Sequence, residues 1–360
     1  MKKKILAVLL CVSMTAVMFA GCGSSTGGEA ASPDDYDFEV PVSDLEVEGD
    51  HISISLFAGS LAENTTAGEA IKRMAAYINV NSNGTIDADP FYDTQLGDAT
   101  SMVQGLQQDT INIGVAGTSY FSGLVPEVDV FQLPYLFSDL EDARAATETD
   151  APAVQAIFEK LETEGNIVGL AFFENGFREL TNNVRPVETP EDMEGIRMRT
   201  LSSNVQIEFW ESMGALATSI DASELYTALQ QGTVNAQDNP LHEIVSRRFY
   251  EVQPYITLND SVYTPLLLGM SKATWDRMSE SQQELIREAT DWARDQQIEL
   301  TDEAQADALQ TIKDFGCEVV EEPDRDAFRE YGEATWSLFT DEYGTELVDM
   351  IQEQLGSDAE

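Results

Sequence analysis

The chain has 360 residues and carries 20 lysines and arginines against 65 aspartates and glutamates, a formal net charge of −45 at pH 7. A surface this acidic repels a phosphate backbone and excludes nucleic acid as a partner. Of the three cysteines, only Cys317 lies beyond the first 22 residues, which excludes an internal disulfide and a cysteine-based metal site in the folded part.

The N-terminus has the layout of a secretory signal. Three lysines and a long apolar run precede Ala20-Gly21-Cys22, so residues 1–21 are predicted to be a removed signal peptide. The ending resembles a bacterial lipobox, which predicts a lipid on Cys22 and an extracytoplasmic protein that is lipid-anchored to the cell membrane. The alternative is a secreted protein with Cys22 unmodified. Residues 22–50 are rich in Gly, Ser, Asp and Glu, a composition typical of a flexible tether.

Strands and helices alternate at the start of the folded part. Residues 51–57 alternate apolar and polar side chains, typical of a strand, and a helix is predicted over 65–77. The strand-helix alternation continues to Val115, which favours an α/β fold with a mainly parallel sheet. Ligands in such sheets bind at the carboxyl ends of strands, here after Phe57 and Val115. Further predicted elements are strands over 166–173, 196–200 and 317–320 and helices over 204–213 and from Asp324 toward Gln354.

A long helical pattern begins at Ser279, where Gln282 completes a capping box, and continues to Phe315. It is one helix, or two joined near Thr301. A single helix of this length would be about 50 Å long and could cross two lobes. Two lobes are expected because single cores stop growing near roughly 250 to 300 residues.

Arginines stand out in so acidic a chain, and they point to an anion as ligand. A guanidinium matches a carboxylate with two parallel hydrogen bonds, so Arg199 and Arg178 are candidates to hold one. The alternative for either is a surface ion pair with one of the many acids. Arg197 competes with Arg199, because strand positions two apart share a face. Asn239 precedes Pro240 in a loop, where its amide can donate to a ligand or satisfy a turn.

Enzyme chemistry has little support in the sequence. The two histidines, His51 and His242, form neither a zinc-binding motif nor part of a recognisable triad, and no glycine-rich phosphate loop is present. No metal or cofactor is predicted. A secreted hydrolase with paired carboxylates stays open, because acids are abundant everywhere in the chain.

Short motifs follow one another between about Ile52 and about Leu355. They are Gln95-Leu96-Gly97, Phe131-Gln132-Leu133-Pro134-Tyr135, Asn175-Gly176-Phe177-Arg178, Gly195-Ile196-Arg197-Met198-Arg199, Glu224-Leu225-Tyr226-Thr227-Ala228-Leu229-Gln230, Asp238-Asn239-Pro240 and Phe249-Tyr250-Glu251-Val252. Their order resembles that of the solute-binding subunits of TRAP (tripartite ATP-independent periplasmic) transporters, in the C4-dicarboxylate-binding group.

The resemblance implies a two-lobed, periplasmic-binding-protein-like α/β fold with a hinge and a long helix spanning both lobes. Lobe I is expected to comprise 51–174 plus about 263–304, and lobe II 175–262 plus about 305–358. The implied function is capture of an organic acid for the small and large membrane subunits of a TRAP transporter. A ligand sensor of the same fold is the alternative.

The resemblance also implies the residues of the binding site. Arg199 matches the arginine that holds the ligand carboxylate, which favours it over Arg197. The other implied ligand contacts are Arg178, Asn239, Gln95, Tyr120, Phe57 and Asp260. Phe57 as an apolar contact and free space beside Ala222 favour a smaller or partly apolar carboxylate.

Overall fold

The computed structural model describes residues 31–356, so the predicted signal peptide 1–21 and the predicted lipid site at Cys22 lie outside it. Its strands are β1 Ile52–Gly59, β2 Ile86–Asp93, β3 Ile113–Gly117, β4 Ile167–Phe177, β5 Glu179–Asn182, β6 Arg197–Thr200, β7 Leu216–Ser219, β8 Ala236–Asn239, β9 Tyr255–Thr257, β10 Tyr263–Ser271 and β11 Glu318–Val320. Its α-helices are α1 Thr66–Asn81, α2 Ala99–Gln108, α3 Leu140–Ala146, α4 Pro152–Gly165, α5 Asn204–Ser212, α6 Leu225–Gln230, α7 Leu241–Ser246, α8 Lys272–Trp275, α9 Glu280–Phe315, α10 Arg325–Ala334, α11 Trp336–Tyr343 and α12 Glu346–Gln354. None of these helices is both long enough and apolar enough to cross a bilayer.

Two separate sheets confirm the predicted α/β class. The first has the strand order β2-β1-β3-β10-β4, in which β1 pairs in parallel with β2 and β3 while β10 runs antiparallel between β3 and β4. Helices α1 and α2 connect the three parallel strands, as the alternating pattern predicts. The second sheet has the order β11-β9-β5-β8-β6-β7, with β6 parallel to both β7 and β8.

The chain crosses between the sheets along two paired segments. One joins β4 to β5, and the other joins β9 to β10. The Arg178 amide donates to the Val262 carbonyl at 2.9 Å, and the Ser261 amide donates to the Arg178 carbonyl at 3.2 Å. Gly176, immediately before the crossing, has a φ of 109°, which is available to glycine without steric cost. This crossing therefore places Arg178 between the two sheets.

Helix α9 is a single helix of 36 residues, which settles the choice left open at Thr301. The predicted capping box forms: the Gln282 amide donates to Ser279 Oγ at 3.1 Å, and the Ser279 amide donates to Gln282 Oε1 at 3.0 Å. At about 54 Å, the helix is long enough to contact both sheets' cores. Its first half buries Leu285 and Ile286 against the first sheet, and its second half buries Ile312 with the core beside the second.

The segment before β1 is packed, which corrects the expectation of a tether for residues 31–50. Val40 and Val47 are 4% and 2% exposed and join the core formed by α1 and α9. Ser43 Oγ donates to Glu288 Oε2 of α9 at 2.7 Å. The few apolar residues here are spaced too irregularly to suggest an element, yet they suffice to hold an extended strap against two helices.

The C-terminal helices return to the first sheet. Phe339 of α11 and Val348 and Ile351 of α12 are buried in the core that contains α4 and Phe172 of β4. This packing differs from the expected assignment of 305–358 to lobe II. The lobe boundaries stay a prediction, and these contacts favour moving residues 336–355 to lobe I.

Candidate functional site

A cavity lies between the two sheets, at the carboxyl ends of β1, β3 and β6. Its polar lining residues are Ser60, Tyr120, Asn175, Arg178, Arg199, Asn239, Glu243, Arg247 and Thr264, and its other lining residues are Gly59, Leu61, Gly117, Leu201, Ala222, Leu225, Phe249 and Leu266. The space open to the centre of a water molecule is about 40 Å³. That is room for roughly three waters at about 10 to 15 Å³ each, so a larger guest requires the walls to move apart.

Arg199 has a buried guanidinium, and the part of the chain that the structure describes supplies no counter-ion for it. It projects from β6, is 1% exposed, and donates from Nε to the Ile220 carbonyl at 2.8 Å. Its Nη2 is buried without a hydrogen-bond partner, and it forms no ion pair with any carboxylate of residues 31–356. Loss of water and repulsion by Arg178 and Arg247, partly offset by Tyr120 and Asp238, lower the pKa of Arg199 to about 10. A buried charge in this state favours an anionic guest.

Arg178 also lines the cavity, but its charge is compensated. Its Nε lies 2.8 Å from Asp238 Oδ2, its Nη2 lies 3.2 Å from Asp238 Oδ1, and both side chains are buried. Asp238 sits on β8, which pairs with β5 directly after Arg178. The ion pair fixes the guanidinium, and Nη1 donates to no group within 31–356, so it stays available to a guest.

Asn239 and Tyr120 are the other two predicted site residues that line the cavity together with Arg199 and Arg178. Asn239 Nδ2 donates to Gln237 Oε1 at 2.5 Å, which holds the amide at the cavity wall. The Tyr120 hydroxyl accepts a hydrogen bond from the Ala222 amide at 3.4 Å, across the cavity. Burial is the main cause that raises the pKa of Tyr120, so its hydroxyl stays protonated and able to donate.

Three predicted site residues lie away from the cavity. Phe57 is fully buried against α2, on the same strand face as Gly59, but it lies two residues before the end of β1, and only Gly59, Ser60 and Leu61 at that end reach the cavity. Gln95 is exposed, and its Oε1 accepts from the Tyr92 amide at 2.9 Å. Asp260 lies at the crossing and pairs with Arg325 at 2.8 Å. The argument from Phe57 for a partly apolar ligand therefore loses its basis.

Arg197, the competitor of Arg199, is on the surface. It is exposed and donates to the carbonyls of Gly232 and Thr233 at 2.7 and 3.1 Å. The two arginines share a strand face, yet Arg199 contacts the connection that follows β7, at Ile220, and Arg197 contacts the loop before β8. Their different positions along β6 therefore place Arg199 in the cavity and Arg197 on the surface.

The sequence reasoning missed Glu243 and Arg247. They lie four residues apart across the end of α7, with Arg247 Nε 2.5 Å from Glu243 Oε2; the Glu243 side chain is buried and that of Arg247 is 15% exposed. Burial opposes the charge on each, but their mutual attraction raises the pKa of Arg247 and lowers that of Glu243. The available signal was the Glu-x-x-x-Arg spacing immediately after Asn239-Pro240, which resembles an ordinary exposed helix pair.

The two sides of the cavity touch at Ser60. Its hydroxyl donates to Asp221 Oδ1 at 2.9 Å, and its carbonyl accepts from Arg247 Nη2 at 2.9 Å. Ser60 has a φ of 57°, a conformation that a residue with a Cβ adopts at some cost. These contacts join the loop after β1 to the second sheet and close the cavity.

A second hollow lies on the outer face of β4, beside Trp275 and Arg287, and has a volume of about 640 Å³. It opens to solvent, and its arginine is half exposed and stacks on the tryptophan ring at 4.7 Å. It has no buried uncompensated charge of the kind that Arg199 gives the cavity.

The chain resembles proteins of known family. Residues 57–342 match the family model described as bacterial extracellular solute-binding protein, family 7. The 2,3-diketo-L-gulonate-binding periplasmic protein YiaO of Escherichia coli is 32% identical over 79% of this chain and 87% of its own length. The C4-dicarboxylate-binding periplasmic protein DctP of Rhodobacter capsulatus is 29% identical over 72% of this chain and 77% of its own.

A solved structure gives the same picture of the fold. The sugar acid binding protein DctPAm of Advenella mimigardefordensis, in complex with galactonate, superimposes with a TM-score of 0.81 at 29% identity. The match covers 86% of this chain and 99% of that one.

Proposed function

This chain belongs to bacterial extracellular solute-binding protein family 7, and on that premise we propose that its cavity captures an organic acid for transport. The predicted resemblance to TRAP solute-binding subunits is confirmed. Members of this family are extracytoplasmic binding proteins of transporters. The protein therefore binds and releases its guest chemically unchanged, outside the cytoplasm.

One observation carries the proposed mode of binding: the buried guanidinium of Arg199 has no carboxylate partner within residues 31–356. An unpaired buried charge costs several kcal/mol, and a guest carboxylate can offset that cost with two parallel hydrogen bonds. Arg178 Nη1, the Asn239 amide and the Tyr120 hydroxyl assist from the neighbouring walls. Gln95, Phe57 and Asp260 are left out of this ligand shell because they do not line the cavity.

Binding is coupled to closure of the two lobes. The carboxylate is held by arginines of the second sheet and the crossing, while Ser60, Gly117 and Tyr120 approach from the first sheet. A guest that contacts both sides favours the closed arrangement by the difference between its affinities for the closed and open forms. The closed form then docks on the small and large membrane subunits of a TRAP transporter.

Membrane attachment is through a lipid on Cys22. The support is the arrangement of the N-terminal sequence, in which lysines and an apolar run precede a cysteine that follows two small residues. Replacing Cys22 by Ser should move the protein from the membrane fraction to the soluble extracytoplasmic fraction and abolish incorporation of labelled palmitate. Continued labelling of the Cys22→Ser protein would exclude Cys22 as the lipid site.

Thermal-shift measurements on the full chain test the binding function. The acids are D-galactonate, D-glucuronate, D-erythronate and succinate, and the neutral compounds D-galactose, D-glucose and erythritol are matched to the first three acids. At least one acid should raise the melting temperature while every neutral compound leaves it unchanged, because only a carboxylate neutralises Arg199. Native mass spectrometry of the freshly purified protein should show the same class of acid. Stabilisation by neutral sugars alone, or by no compound, contradicts the proposal.

A further inference from the structure

Three arginines line the cavity, and the protein's own carboxylates neutralise two of them. Arg178 is paired with Asp238 and Arg247 with Glu243, whereas Arg199 has no carboxylate partner among residues 31–356. The counter-ions of the two paired arginines belong to the protein itself. The cavity therefore presents about one net positive charge to a guest.

Glu243 places this compensation inside the cavity. It lines the cavity and is 3% exposed, and its Oε2 accepts from Arg247 Nε at 2.5 Å. Its other oxygen, Oε1, accepts no hydrogen bond from residues 31–356. Arg247 is meanwhile held by the carbonyls of Ser60 and Ala222, at 2.9 and 3.4 Å. It cannot swing away from Glu243 to clamp a second carboxylate without breaking the contact between the lobes.

Asp221 is a second acidic group near the cavity, next in sequence to the lining residue Ala222. Asp221 accepts hydrogen bonds from the Ser60 hydroxyl at 2.9 Å and from the Ser223 amide at 2.8 Å, on the lobe side that carries Ala222. Burial would raise the pKa of Asp221, but hydrogen bonds from the Ser223 hydroxyl and amide and from the Ser60 hydroxyl outweigh it and lower the pKa, so the group is ionised at neutral pH. Asp221 thus adds a second acid next to the lining residue Ala222, and Leu225 and Phe249 add apolar surface to the cavity wall.

From this charge distribution, and resting on the proposed function, we propose that the cavity selects monocarboxylates and that Glu243 excludes a second carboxylate from the guest. A hydroxyl group can donate a hydrogen bond to the Glu243 carboxylate, whereas a guest carboxylate can only repel it. Like charges brought together in a desolvated cavity repel strongly and weaken binding. The Asn175 amide and the Thr264 hydroxyl, whose Oγ1 has no partner within 31–356, supply further contacts for hydroxyl groups.

Pairs of acids that differ only at one end test the selectivity. They are D-galactonate with galactarate, D-gluconate with D-glucarate, and D-erythronate with meso-tartrate, in which a terminal CH₂OH becomes a carboxylate. Calorimetric titration of the full chain should give at least tenfold tighter binding of the monoacid in every pair that binds. A diacid bound as tightly as its monoacid overturns the inference.

The variant Glu243→Gln tests the residue. The glutamine side chain keeps the shape of glutamate and can still accept the hydrogen bond from Arg247, but it leaves the charge of Arg247 uncompensated. Because a second ligand carboxylate is then no longer repelled, the ratio of diacid to monoacid affinity should rise at least tenfold. The matched control is Glu251→Gln, which removes the carboxylate of the surface pair between Arg248 and Glu251 and should leave the ratio unchanged. An equal change of the ratio in both variants, or no change in either, overturns the role of Glu243.

The outcomes separate this inference from the proposed function. If no acid binds the wild-type protein, the proposed function fails. If diacids bind as tightly as monoacids, organic-acid capture stands and only the selectivity fails. Should Glu243→Gln prevent folding, the wild-type comparison of the three pairs decides the selectivity by itself.

Discussion

Arg247 and Ser60 come from opposite sides of the cavity, and Arg247 Nη2 donates to the Ser60 carbonyl oxygen across 2.9 Å. The Ser60 hydroxyl makes a second contact in the same direction, to Asp221. Both contacts exist only when the lobes are together, and neither uses a guest. We call these two contacts of Ser60, to Arg247 and to Asp221, the latch, and they stabilise the closed form without a ligand.

Weakening the latch should weaken binding without changing which acid binds. Ser60→Ala removes the hydroxyl that donates to Asp221, a loss of about 1 kcal/mol of closure free energy. The dissociation constant of the acid with the largest thermal shift should rise roughly three- to tenfold by calorimetry. Small-angle scattering should show a larger radius of gyration for the acid-free variant.

The control for the latch is Ser223→Ala. It removes another hydroxyl from the same Asp221 oxygen, but one from the same side of the cavity. Affinity and radius of gyration should stay at the wild-type values. If Ser60→Ala behaves like this control, the contact does not contribute to closure.

The strap before β1 should contribute to stability. Val47 is 2% exposed against α1 and α9, so Val47→Ala should lower the free energy of unfolding by about 1 to 3 kcal/mol. Val42, in the same strap, is 73% exposed, and Val42→Ala should change the free energy of unfolding by less than about 0.5 kcal/mol. Urea unfolding of both variants measures the difference. Equal values would show that the strap is a tether after all.

Asp129 should make the protein less stable as the pH rises. Burial raises the pKa of Asp129 to about 7, although the hydroxyl of Ser122 donates to it. The unfolded chain ionises this group near pH 4, so the folded state loses relative stability as the pH rises from 4 through 7. Asp129→Asn should therefore stabilise by roughly 1 to 3 kcal/mol at pH 8 and by little at pH 4.

Melting temperatures at several pH values check this expectation. Asp50 is exposed, and Asp50→Asn should leave the pH dependence as in the wild type. A gain for Asp129→Asn that is the same at pH 4 and pH 8 would mean that the carboxylate charge is not the cause.

Part of the order of elements could be predicted from the sequence, where an element follows from a local pattern, but strands β5 and β7 to β10 were not predicted. The alternating strand over 51–57, the capping box at Ser279 and the helical spacing up to Phe315 all correspond to observed elements. The parallel arrangement of β1, β2 and β3 follows from the helices between them. The strap was missed because its packing depends on partners more than thirty residues away, which no local period reveals.

The site was predictable in part. Arg199 and Arg178 could be selected as cavity residues because arginines are rare in this chain and the motifs around them resemble those of a family. Phe57 was misplaced because a strand end and the loop after it cannot be distinguished to within two residues. Arg247 and Glu243 were missed because only tertiary structure shows that an ordinary helix pair is buried.

The central claim is that the Arg199 guanidinium holds the carboxylate of an organic acid, and the most direct measurement compares two arginines of one strand. Calorimetric titration uses the acid with the largest thermal shift against wild type, Arg199→Ala and Arg197→Ala. Loss of Arg199 should cost about 2 to 5 kcal/mol of binding free energy, roughly 30- to several-thousand-fold in affinity, while Arg197→Ala binds like wild type. Wild-type affinity in a folded Arg199→Ala protein, or an equal loss in both variants, would contradict the claim.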